Sequence, residues 1–263
     1  MLSQLAAQLI SSVFVMIKIP EFICNIIAAG LYILLACYLI KLLCRKYLKD
    51  DMCEYCIPKF KIELKWLCVA IALPVLVCIV YLLFMDGSFV KNELDWNSKL
   101  NLLTAGIFFT GFGAGIVEEL VFRGIMMNVL KKRFNKIVAV LAPSLLFGVV
   151  HIIGMEFSLL SCILVIVAGT MVGVMFSLIA SVTKSVWNSA IVHVVWNIVI
   201  LGGFLWIGTE FDEYSLVSYV LHSKSFAITG GEFGIESSVI AVIGYCVVSL
   251  LVLFEMDFFK KKA

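Results

Sequence analysis

Glu118, Glu119 and Arg123 fall within one long apolar stretch of the sequence, His151 within a second, and His193 with Asn197 within a third. Ionisable side chains in such surroundings are costly, and they are usually paired with one another or functional. The residue types point to hydrolysis. A glutamate in an apolar cavity can take a proton from water as a general base, and histidine exchanges protons near neutral pH. In one assignment Glu118 and His151 activate a water, while His193 and Asn197 donate hydrogen bonds to the oxyanion formed on a scissile carbonyl. In the other, Glu118, His151 and His193 bind Zn²⁺, whose water becomes the nucleophile. The residues permit either mechanism, with or without a metal.

Spacing separates working residues from supporting ones. Side chains four apart share a helix face, so Glu119 and Arg123 can pair and neutralise two charges that a membrane penalises. Glu118, about 100° further round the helix, is then free to face a different cavity. His193 and Asn197 project together, and Phe147 lies one turn before His151 as its packing neighbour. The plainer alternative for either histidine, or for Asn197, is an interhelical hydrogen bond worth about 1 kcal/mol. Other conspicuous residues carry less. Cys53 and Cys56 form a single C-x-x-C with no second pair nearby, short of the four ligands of structural zinc. His222 reads as a solvated loop residue. Gly169 and Gly173 read as a close-packing pattern, and Trp187, Trp196 and Trp206 as anchors or packing of the sixth apolar block.

The elements that must position these groups are membrane helices. Hydrophobic residues make up 63% of the 263 and charged residues 14%, whereas soluble domains are nearer half and a quarter. Apolar blocks run roughly Ile19 to Leu43, Trp66 to Met85, Leu100 to Leu130, Ile137 to Ile153, Phe157 to Val182, Val186 to Ile207 and Val239 to Phe254. A span needs about 20 residues, so these are seven candidates. The third is longer than needed and holds Gly111, Gly113 and Gly115, which predicts a kink or an extension into the cytosol. The fourth is short, and Pro143 should bend it. Met1 to Met16 is short for a span and reads as an interfacial helix over residues 1–17. The expected fold is therefore all-α, a polytopic transmembrane helix bundle of seven spans, or eight if that segment crosses. It forms one membrane domain, 1–263, with a motif-bearing core at about 100–207.

A net charge of +2 gives no reason to expect a nucleic-acid partner. Most of the nine cysteines lie inside apolar blocks, where a thiol behaves as a small hydrophobe, so no disulfide framework is expected. Lys and Arg gather in alternate loops: Arg45 to Lys65, Lys131 to Lys136, Lys184, and Lys260 to Lys262. Those loops, and the C-terminus, are expected in the cytosol. The acidic residues Asp86, Glu93, Asp95, Glu210, Asp212, Glu213, Glu232 and Glu236 fall on the other side, most of them in the long connection from Gly208 to Ser238. Helical rise puts Glu118 about 20 Å from Lys131, His151 about 22 Å from Lys136, Asn197 about 20 Å from Lys184, and His193 about 14 Å from Lys184. All four can therefore meet in one layer past the midplane of the bilayer.

Glu118-Glu119-Leu-Val-Phe-Arg123, then Phe147-Gly-Val-Val-His151, then His193-Val-Val-Trp-Asn197 resembles the three-motif signature of the CPBP, or Abi, family. That family groups type II CAAX prenyl endopeptidases with bacteriocin-processing and bacteriocin-immunity proteins. The resemblance covers roughly Leu100 to Ile207 and implies an intramembrane endopeptidase, commonly labelled a metalloprotease. Its cavity would open toward the membrane or the cytosol, with Glu118, His151 and His193 catalytic and Asn197 beside them. A metal-free, glutamate-driven mechanism has also been argued for relatives. The implied partners are the lipid bilayer and a membrane-associated protein or peptide substrate, in a bacterial plasma membrane, with no assertion of prenyl recognition or of an oligomeric state. The competing reading is a non-catalytic immunity or regulatory protein that binds a partner, and a weaker one a proton-coupled transporter.

Overall fold

The computed structural model describes residues 2–153, 155 and 158–260. Met1, Phe157, the expected first residue of the fifth apolar block, and Lys261 and Lys262 of the basic tail lie outside the described residues. Among the described residues eight helices of 15 residues or more carry the fold: α1 (Leu2–Met16), α2 (Glu21–Leu48), α3 (Leu64–Phe84), α4 (Trp96–Arg133), α5 (Lys136–Val150), α6 (Leu159–Thr183), α7 (Val186–Leu201) and α8 (Val239–Lys260). In lipid every backbone amide must be satisfied within its own segment, so long apolar runs of Leu, Ile, Val and Ala become helices.

Among the described residues five stretches, in α2, α3, α4, α6 and α8, are long and apolar enough to cross a membrane. The other three helices are shorter. α5 has 15 residues and α7 has 16, reaching about 22 Å and 24 Å at 1.5 Å per residue against a hydrocarbon core of about 30 Å. The expected sixth span, Val186 to Ile207, needs correction. α7 stops at Leu201, Gly203 takes a left-handed φ of 80°, and the chain continues as a strand. Seven or eight full spans are thus more than the helix lengths themselves supply.

The fold is mostly helical, as the apolar blocks imply, and the helical bundle also carries a small mixed sheet not expected from the sequence. β1 (Gly87–Lys91) follows α3, β2 (Leu205–Gly208) follows α7, and β3 (Val217–Leu221) lies between them in the order β1-β3-β2. β1 pairs antiparallel with β3 from Gly87 opposite Leu221 to Lys91 opposite Val217, and β2 pairs parallel to β3 from Leu205 opposite Val217. Tyr219 on β3 donates its hydroxyl to the Met85 carbonyl at 2.8 Å, fastening the sheet to the end of α3. Below it, Trp66 and Tyr81 of α3, Phe176 of α6, Trp196 of α7 and Tyr245 of α8 form the main buried core.

α4 is irregular where it matters. Residues Ala105–Ala114 and Leu120–Met126 are wound with i→i+5 bonds, and the turn carrying the two glutamates, Gly115–Glu119, lies between them. Such widened turns occur mostly at functional positions. The first also aligns three glycines with α7. A Cβ on Gly106 would stand 2.5 Å from the Gly202 carbonyl oxygen, one on Gly111 2.5 Å from Ile198 Cγ1, and one on Gly115 2.9 Å from Val194 Cγ2. Positions 106, 111 and 115 thus face 202, 198 and 194, antiparallel and at backbone contact. The Gly169 and Gly173 pattern acts likewise on α5, meeting Gly148 and Ser144.

This contact is testable. Gly106→Ala collides with backbone and is expected to cost about 1–3 kcal/mol, whereas Gly111→Ala meets a side chain that can rotate and should cost less. Unfolding midpoints in detergent micelles read the difference, and equal midpoints for the two variants would contradict the arrangement.

Candidate active site

The two motifs nearest in chemistry meet at one carboxylate oxygen. Glu119 Oε1 accepts from Arg123 Nη1 at 2.8 Å, an i, i+4 ion pair whose side chains are both 0% exposed. The same oxygen lies 3.2 Å from His193 Nδ1 on α7. Arg123 Nη2 also donates to the Gly173 carbonyl on α6 at 3.1 Å. Its guanidinium sits over Phe147 of α5 at 4.5 Å and Phe176 of α6 at 5.2 Å, and Phe176 stacks on His193 with centroids 4.7 Å apart. Aromatic faces attract the cation and cover it from lipid.

This arrangement fixes the proton on His193. A carboxylate oxygen already bonded to a guanidinium can only accept, so Nδ1 is the proton-bearing nitrogen and Nε2 turns toward Glu118, whose Oε2 is 3.8 Å away. A carboxylate behind a histidine orients the ring and sets its tautomer. Glu118, one position before Glu119 and on another face, is 28% exposed at its side chain, and the exposed part lines a cavity.

His151 caps the end of α5. Its Nδ1 lies 2.6 Å from the Phe147 carbonyl, one of the last four carbonyls that a helix leaves without an internal partner. That oxygen only accepts, so Nδ1 again carries the proton and Nε2 keeps its lone pair. Asn197 Nδ2 donates to the Thr110 carbonyl in the first widened stretch of α4 at 3.0 Å, which leaves the second amide hydrogen unassigned.

Glu118, His151, His193 and Asn197 all line one cavity of about 300 Å³, with Phe147 in its wall. Glu119 and Arg123 are not among the lining residues. Several residues that sequence reasoning did not single out as part of the site join the wall: Thr110, Phe176, Trp196, Tyr245, and Phe233 with Glu236 from the α7–α8 connection. Glu236 stands three residues before the last apolar block, in the run Glu232-Phe233-Gly234-Ile235-Glu236, where apolar residues alternate with acids and a glycine. That alternation is the one available signal that the turn folds inward. His222, by contrast, is exposed and contacts Ser88 Oγ at 3.1 Å.

A family model described as type II CAAX prenyl endopeptidase Rce1-like matches residues 100–199. Residues 100–199 belong to that family. The Rce1-like segment takes in α5 and α6 whole, most of α4 and all but the end of α7, and so every motif residue above. At family level the match supports an intramembrane CAAX-type protease, and the apolar helices support an integral membrane protein. No match is found among curated proteins or among solved structures.

The donor set does not fit the zinc alternative. Glu118, His151 and His193 share the cavity, yet among the described residues no three His, Cys, Asp or Glu side chains are grouped closely enough to hold a metal ion. The same holds for Cys53 and Cys56, of which Cys56 Sγ instead contacts Asn128 Oδ1 at 3.5 Å.

The buried pair has a cost that mutation exposes. Arg123→Met strands the Glu119 carboxylate without its counter-charge, a change expected to cost about 3–5 kcal/mol. The double variant Glu119→Leu with Arg123→Met removes both charges and should recover much of that loss in micelle unfolding. If the double variant falls as far as the single one, the loss is one of packing and the charge argument is wrong.

Proposed function

We propose that the protein hydrolyses a peptide bond in a membrane-associated protein or peptide, without a metal, using Glu118 and His151 to activate water. The observation that carries this reading is that Glu118, His151, His193 and Asn197, drawn from two helices and one helix end, face a single cavity while Glu119 and Arg123 are held outside it. Glu118 is the base because its carboxylate reaches the cavity while Arg123 is taken up by Glu119, and His151 presents Nε2 as an acceptor for the same water. The attacking oxygen loses a proton and bonds to the carbonyl carbon, and the charge that develops on the carbonyl oxygen needs donors. Asn197 offers its second amide hydrogen. His193 offers Nε2–H when it is an imidazolium, with Glu119 as its counter-ion.

The cavity wall supports an unpolar neighbourhood for the scissile bond, since Phe147, Phe176, Val165, Val172 and Trp196 line it. Such walls suit a bond close to a hydrophobic or membrane-inserted segment of the substrate. The loop charges support a cytosolic C-terminus, which sets the cavity nearer the opposite face.

Expected outcomes follow from the roles. Glu118→Gln should lower turnover about 10²–10⁴-fold, the usual worth of a general base. Asn197→Ala should lower it about 10²–10³-fold, as for removal of one oxyanion donor. Both are read by mass spectrometry of membrane peptides from cells expressing each variant at equal abundance. Cleavage that persists unchanged in Glu118→Gln would refute the assignment.

A further inference from the structure

We propose that Glu236 is the acid that protonates the departing amine, an assignment that rests on the peptidase reading above. Glu236 lies on the turn Ile235–Ser237 in the α7–α8 connection, outside the matched segment 100–199, and it lines the same cavity as Glu118, His151 and His193. It is the second carboxyl group in that cavity.

Its position is built. Trp196 Nε1 donates to Glu236 Oε2 at 3.4 Å, and Trp196 adjoins Asn197 on α7. The Tyr245 hydroxyl of α8 donates to the Glu236 main-chain carbonyl at 3.0 Å. Ser237 Oγ donates to the Gly230 carbonyl at 2.7 Å, and Ser238 Oγ donates to the Ile235 carbonyl at 2.6 Å. Gly230 and Gly234, with φ of 76° and 84°, give the chain the left-handed conformation that folds this turn into the bundle. Next to it Phe233 sets its ring 6.0 Å from that of His151. A solvated acidic loop needs none of these ties.

The reaction supplies the need. An amide nitrogen leaves poorly unless it receives a proton as the C–N bond breaks, and Glu118 begins the cycle as the base. Two carboxyls in one site perform opposite tasks when their surroundings hold one ionised and the other protonated. Glu236 meets that condition: burial pushes its carboxyl up to about 7, the Glu118 charge adds to the effect, and Trp196 and His193 oppose it. The titratable groups facing it are Glu118 from α4, His151 from α5, His193 from α7 and Tyr245 from α8.

The step balances. Glu118 takes one proton from water, and the remaining hydroxyl bonds to the carbonyl carbon. The tetrahedral adduct then collapses, the C–N bond breaks with its electron pair going to nitrogen, and the Glu236 proton completes the amine. Glu118 is left protonated and Glu236 ionised, and transfer of one proton from the first to the second restores both. The products are one carboxylic acid and one amine.

The test uses the full-length protein in detergent micelles with a proteome-derived peptide library, cleavage being read by mass spectrometry. The best-cleaved sequence is then remade with its scissile amide replaced by a p-nitrophenyl ester, whose leaving group departs without a proton. Glu236→Gln keeps an acceptor for Trp196 but has no proton to give. Its kcat on the amide should fall about 10²–10⁴-fold, with KM little changed and the loss of activity above about pH 7 removed from its profile. Its rate on the ester should stay near that of the unmodified protein, and Glu236→Asp should restore part of the amide rate. Glu118→Gln, by contrast, should lose both substrates. Equal loss of amide and ester in Glu236→Gln would assign the residue to packing, and full amide turnover would dismiss it from the reaction. Either result overturns this inference while the Glu118 result stands. If the library shows no Glu118-dependent cleavage at all, the peptidase reading fails and takes the inference with it.

Discussion

Placing a guanidinium and a carboxylate at full burial in a chain whose main solvent is lipid constrains everything around them. Arg123 and Glu119 neutralise each other, but an isolated buried pair is seldom a net source of stability. What the pair does is demand partners from other helices. Arg123 takes the Gly173 carbonyl from α6 and aromatic faces from α5 and α6, while Glu119 takes His193 from α7. Each contact is directional, so sliding α4 by one turn against its neighbours would strand a charge in hydrocarbon. Four helices are thereby held in one register, and that register brings Glu118 to the cavity.

The irregular winding of α4 belongs to the same problem. A regular helix turns about 100° per residue, so two glycines five apart, such as Gly106 and Gly111, would point to different sides and could not both lie against α7. The widened stretch Ala105–Ala114 spaces Gly106 and Gly111 five apart, so backbone contact with α7 continues to Gly115 at the start of the glutamate turn. α5 and α7 solve their side differently, by being short. Helix ends inside the hydrocarbon thickness leave carbonyls without partners, which is tolerable only against protein or a wet cavity. The His151 ring answers one of those carbonyls, and the same hydrogen bond fixes which nitrogen the cavity sees.

The legible part of this structure was the part that obeys local periodicity. Apolar runs gave helix positions to within a few residues for α3 and α6, and i, i+4 spacing gave the Glu119–Arg123 pair. Three things depend on non-local contacts and left little local trace. Leu205–Gly208 is as apolar as the helix before it, and it becomes a strand because Gly202 and Gly203 end α7 and β3 offers a partner over ten residues later. Phe176 looks like any lipid-facing phenylalanine until Arg123 and His193 are placed on its ring. Glu236 sits among acids that are mostly exposed, and its inward turn depends on glycines whose left-handed conformation shows only in the fold.

The site therefore has two origins within one chain. Glu118, His151, His193, Asn197 and the ion pair that orients His193 all lie in the Rce1-like segment, on helices whose register the buried charges enforce. The remaining wall, with Phe233 and Glu236, comes from a connection tied down by hydroxyl and indole hydrogen bonds, each worth about 0.5–1.5 kcal/mol net. Contacts of that size open far more readily than a helix register shifts. The cavity thus has helical walls whose register the buried charges hold on one side, and on the other a turn held by a few neutral hydrogen bonds. Trp196, which donates to Glu236, lies between His193 and Asn197 on α7, so the turn is tied to the same helix that brings those two side chains to the cavity.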